Sequence, residues 1–89
     1  MNSKFPLGHM VITANAQQTL HPESVPQALA RHAKGDWGEL DNEDRVSNER
    51  ALKVGGRLFS AYRDCNKVKF WIITEADRSA TTVLLPEDY

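Results

Sequence analysis

Apolar and polar residues alternate with two different periods along this chain. HMVIT (His9 to Thr13) is a short β run: Val11 and Ile12 suit a strand, and Gly8 precedes it. ANAQQTL (Ala14 to Leu20) makes one or two helical turns, stopped by His21-Pro22 because proline biases its predecessor away from helix. Val25, Ala28, Leu29, His32 and Ala33 then share one face at helical spacing, predicting a helix from Val25 to Lys34. Ser24 with Gln27 reads as its capping box, and Gly35 as its stop. A third helix spans Asn42 to Val54. Asp41, Glu43 and Asp44 lie at its positive end and Gly55-Gly56 follow it.

The period then changes. RLFSAYR (Arg57 to Arg63) and VKFWIIT (Val68 to Thr74) flank the turn formers DCNK, and TTVLL (Thr81 to Leu85) follows TEADRSA. The predicted order is β-α-α-α-β-β-β, an α+β domain with a C-terminal three-strand antiparallel meander packed on helices. Residues 1–6 read as a loose arm of a single small domain covering residues 1–89.

A symmetric hairpin opposes Arg63 to Val68, Ala61 to Phe70 and Phe59 to Ile72. One face then holds Phe59, Ala61, Val68, Phe70 and Ile72, joined by Val83 and Leu85 if Thr74 opposes Thr81. The other holds Leu58, Ser60, Tyr62, Lys69, Trp71, Ile73, Thr82 and Leu84. A sheet face open to water should be polar, and this one is not. Either the third helix covers it, or it meets another chain, a partner protein or a second copy.

Composition narrows the function classes. The 89 residues carry a net charge of −1, without the basic excess of a dedicated nucleic-acid binder, so nucleic acid is disfavoured as a partner. One cysteine, Cys65, allows no internal disulfide and fits a reducing, cytoplasmic setting. FWII (Phe70 to Ile73), the longest apolar run, is too short to span a bilayer.

GDWGELDNED, GGRLFSAYR and KFWIITEADRSATTVLLPEDY resemble a group of short uncharacterised proteins of bacterial plasmids, prophages and other integrated elements. The resemblance covers roughly Leu29 to Tyr89, and WIITEADRS…TTVLLP is its distinctive stretch. It implies a genetic setting in which accessory proteins modify host defence, toxicity or gene control. A second likeness is topological: one strand, helices and a meander are similar to the RelE/ParE toxin fold. That likeness implies reactive residues on the meander, with Arg57, Arg63, Tyr62 and Arg78 as the matching positions.

Chemical candidates are few. His9, His21 and His32 have no ligand spacing, so no metal site is expected, nor any cofactor. Cys65 sits beside Asp64, whose negative charge disfavours a reactive thiolate. Ser60 and Ser79 have no evident triad companions. In TEADRS, Asp77 is expected to accept loop amides in an Asx turn, leaving Arg78 to reach outward. Trp37, between two glycines, reads as a plug over the core edge or as an exposed anchor.

The expectation is a non-enzymatic mobile-element accessory protein that binds a protein partner. It would use Trp71, Tyr62, Leu58, Leu84, Ile73, Arg78 and Trp37, and its most concrete role is to inhibit or modulate a host nuclease-type defence system. The alternatives are a RelE-like ribonuclease toxin and a small regulatory DNA-associated protein.

Overall fold

A computed structural model describes residues 3–89 of the chain. The elements run β1 (His9–Ile12), α1 (Ala14–Thr19), α2 (Ser24–Ala33), α3 (Asn42–Val54), β2 (Leu58–Arg63), β3 (Lys69–Thr74) and β4 (Ala80–Leu84). A short 3-10 turn follows at Pro86–Asp88. The fold is α+β with its elements in the predicted order, but the sheet is larger than a meander. Strands β2, β3 and β4 pair antiparallel in turn, and β1 adds in parallel to β4, giving the order β1-β4-β3-β2.

Local chemistry accounts for most helix ends. The Thr13 hydroxyl accepts from the Ala16 amide at the start of α1, and Asp41 accepts from the Asp44 amide at the start of α3. Gly55, at φ +90°, closes α3. The capping box expected on α2 does not form. Glu23 takes the N-cap position without a side-chain cap bond, and the Ser24 hydroxyl accepts from the Cys65 amide instead.

The β2–β3 hairpin corrects the predicted pairing by one residue. Arg63 opposes Lys69, Ala61 opposes Trp71 and Phe59 opposes Ile73. The cause is the loop, which takes in Val68 as well as DCNK. Asp64 accepts from the amides of Asn66 and Val68, its own amide donates to Val68 O, and Lys67 adopts φ +66°. A one-residue shift turns every side chain of a strand to the other face. Leu58, Ser60 and Tyr62 therefore join Phe70 and Ile72, while Phe59 and Ala61 join Trp71 and Ile73. The β3–β4 pairing, with Thr74 opposite Thr81, is as expected.

Two apolar clusters cover the first of these faces. Ala16, Leu20 and Ala28 from α1 and α2 pack on Tyr62, Phe70, Ile72, Val83 and Leu85. Phe5, Trp37 and Ala51 of α3 pack around Leu58 beside them. The segment 3–6 is thus not loose: the Lys4 amide donates to Ala33 O at 2.8 Å and Phe5 is buried. Met1 and Asn2 of the expected arm lie outside the described residues. Helix α3 does not lie across the Trp71 face. It runs along the outer edge of β2, where the Asn48 carboxamide donates to Phe59 O (2.6 Å) and accepts from Phe59 N (3.0 Å).

Candidate functional site

The face opposite the helices carries Phe59, Ala61, Trp71, Ile73, Thr82 and Leu84. At its centre is an open groove of about 260 Å³ lined by Arg57, Phe59, Trp71, Ile73 and Tyr89. Trp71 and Phe59 meet edge to face at 5.1 Å, and Trp71 meets Tyr89 the same way at 5.9 Å. Both Phe59 and Trp71 are half-buried, whereas Tyr89 is 72% exposed and shields only one side. The rim is basic. The Arg57 guanidinium donates to the Tyr89 hydroxyl (3.1 Å) and approaches Glu75 only to 3.9 Å. The Tyr89 hydroxyl beside it raises the Arg57 pKa further above its ordinary value.

The structure divides the residues expected at a partner surface. Trp71, Ile73 and Leu84 lie on this face, where Trp71 is half-buried and Ile73 and Leu84 are buried by their neighbours. Leu58, Tyr62 and Trp37 do not, for they are buried beneath the helices. Leu58 and Tyr62 moved with the hairpin register. Trp37 is the core-edge plug: it stacks on Phe5 at 6.2 Å and its indole N–H donates to Glu49 at 2.9 Å. Tyr62 donates its hydroxyl to Asp36 O, and burial pushes its pKa up to about 12. Phe59 and Tyr89 are the groove residues the sequence reading left out, and Arg57 entered it only through the toxin-like alternative. Phe59 came to this face because Asp64, accepting the Val68 amide, lengthens the loop and slides the register by one residue.

Arg78 does not reach outward. It adopts φ +64° and turns back into the molecule. Its guanidinium donates to the carbonyls of Gly56 (2.6 Å), Ala51 (3.0 Å), Glu75 (3.1 Å) and Ala76 (3.1 Å). The Phe5 ring lies 5.8 Å away. Asp77 does accept from the Ser79 amide at 2.9 Å, as an Asx turn requires.

The four residues matched to a toxin-like site are not brought together. Arg57 precedes β2 and Arg63 ends it, about 20 Å apart at strand rise. Arg63 pairs with Glu39 at 2.9 Å and borders a separate polar depression beside Arg31, Tyr62 and Asp64. With Tyr62 buried and Arg78 clamped, Arg57 faces the groove alone.

One buried polar cluster also lies under the helices. His32 Nδ1 contacts the Ser60 hydroxyl, Nε2 lies 2.9 Å from the Thr74 hydroxyl, and that hydroxyl lies 2.7 Å from Thr81's. Thr81 donates to Leu7 O at 2.6 Å. A Ser–His contact can serve nucleophilic catalysis only where substrate reaches it. Ser60 and His32 are fully buried, so this one is structural. Burial, with the Arg78 charge as a lesser cause, lowers the His32 pKa to about 4. Among the described residues no group of three His, Cys, Asp or Glu side chains is placed to hold a metal ion. No helix among them is long and apolar enough to cross a membrane.

No protein-family model matches the chain, and the comparisons with curated proteins and with solved structures give no match either.

Proposed function

We propose that this chain is a non-enzymatic binding protein whose contact surface is the Arg57–Phe59–Trp71–Ile73–Tyr89 groove. One observation carries the reading: an apolar sheet face, bearing a half-buried tryptophan, has no helix over it among the described residues. Exposed aromatic and arginine side chains around one pocket are the usual anchors of protein interfaces. The matching partner presents an aliphatic or aromatic side chain to Trp71 and Phe59, with a carboxylate beside it for Arg57. The mobile-element setting implied by GDWGELDNED and WIITEADRSATTVLLP puts a host nuclease-type defence protein first among partner classes.

The test is affinity capture from a host lysate with three baits: the natural chain, Trp71→Arg, and Glu43→Arg on the distant α3 as a control. A partner held by the natural chain and the control, and lost at least tenfold with Trp71→Arg, is the expected result. Circular dichroism of Trp71→Arg should match that of the natural chain. Capture that is indifferent to Trp71→Arg would refute the groove as the contact surface.

A further inference from the structure

The sheet has two edges, β1 and β2, and only one is guarded. On β2, the outward amide and carbonyl of Phe59 are both taken by the Asn48 side chain. Those of Ala61 are taken by Trp37 O (3.1 Å) and Glu39 N (2.7 Å), across a single parallel bridge at Gly38. Gly38 is required there. At φ +75° a Cβ would stand 2.0 Å from Ala61 O.

β1 has no such cover. Its ladder to β4 uses the His9 amide, donating to Ser79 O at 2.9 Å, and the Thr13 amide, donating to Val83 O at 3.0 Å. With His9 paired to Ala80 and Val11 to Thr82, alternation turns the N–H and C=O groups of Met10 and Ile12 away from the sheet. Among the described residues, no loop, cap or side-chain hydrogen bond reaches them. Proteins guard such edges with lysine, proline or a bulge. HMVI contains none of these, and Met10 and Val11 are 43% and 40% exposed.

We infer that this edge pairs with the same edge of a second copy, antiparallel, on a two-fold axis through Val11. The strand is self-complementary in that register. Met10 opposes Ile12 of the second copy and exchanges both backbone bonds with it, and Ile12 opposes Met10 likewise. All four outward groups of each copy are satisfied and none is left over. The side chains also match. His9 comes opposite Thr13 of the second copy, whose hydroxyl donates to Asp88 at 2.7 Å, so each imidazole approaches a carboxylate. Two short strands bury less than a standard interface, so the dimer is weak and concentration-dependent. The inference does not rest on the groove reading.

Sedimentation velocity over a concentration series tests it. The natural chain should pass from monomer to dimer. Met10→Pro deletes an outward donor from each copy, two of the four bonds, and should weaken the dimer roughly ten- to hundredfold. Val11→Lys sets two ammonium groups against each other on the axis and should abolish it. Both changes leave the inward ladder intact, so circular dichroism should be unchanged. In the natural chain, hydrogen exchange at the Met10 and Ile12 amides should slow as concentration rises, a readout that does not depend on either variant folding. A natural chain that stays monomeric throughout overturns the inference. So does a dimer that leaves those two amides unprotected and instead shifts Trp71 fluorescence, which would locate the contact on the groove.

Discussion

His32 has one protonation pattern open to it, and the far end of its hydrogen-bond chain decides which. Leu7 O can only accept, so Thr81 donates to it and accepts from Thr74. Thr74 then accepts from His32 Nε2–H, and Nδ1, left bare, accepts from the Ser60 hydroxyl. A proton on Nδ1 would place a charge in a fully buried site and displace the hydrogen bond that Nδ1 accepts from Ser60. Burial already holds the pKa near 4, against 6.5 for a free imidazole. The unfolded chain therefore binds a proton that the folded chain refuses. The His32 contribution is complete above about pH 6.5 and is lost as the pH falls toward 4. The whole loss is on the order of 3 kcal/mol. Urea denaturation at pH 7 and pH 4.5 should show most of it, and His32→Gln should flatten the slope in that window. The carboxylates held low are Asp36 by Arg31, Asp64 by the Val68, His21 and Asn66 amides, Asp77 by Ser79 and Asp88 by Thr13. They lose their contribution as the pH falls through their ordinary value of 3.8 and below, at the lower edge of this window. From sequence, His32 was legible as a residue on an apolar stripe. Its partners come from β2, β3 and β4, and no local pattern announces a contact across 28 or 42 positions.

At the scale of the element, Asn48 closes the β2 edge. A carboxamide matches a backbone amide donor for acceptor, so it can stand in for one residue of a missing strand. Asn48→Leu should leave the Phe59 amide and carbonyl unpaired at a partly buried edge. The expected cost is about 2–3 kcal/mol in a urea titration, together with concentration-dependent light scattering from the opened edge. Helix α3 itself was legible to the residue, because Asp41 and Gly55 punctuate it. Its placement was not. Its few apolar residues scatter around the axis, and its decisive contact is made by a polar side chain in mid-helix. The hairpin failed for a related reason: turn formers mark where a loop is, but Asp64 sets its length by accepting the Val68 amide.

Across the whole molecule, Arg78 is the fastening between parts distant in sequence. One guanidinium joins the end of α3, Gly56, the β3–β4 turn and the ring of Phe5. Lysine has neither the fork nor the reach to serve these carbonyls together. Arg78→Lys should therefore cost at least about 2 kcal/mol, read as a lowered thermal midpoint, and should increase proteolysis ahead of Gly8. The α+β class and the order of elements followed from the periodicity. The parallel strand β1 and the bare Trp71 face did not, since both depend on which strands meet and on which side the helices settle.

The parallel pairing has a consequence in time. It joins residues about 70 positions apart, His9 to Ala80 through Ile12 to Val83, and among the described residues β4 is the one neighbour β1 has. During synthesis the first strand must wait for the last, while the hairpin between them pairs over short loops at little entropic cost. Until the final strand emerges, β1 is an unpaired apolar segment on a nascent chain, exposed on both sides. The completed sheet shields one of those sides and leaves the other as the molecule's open edge.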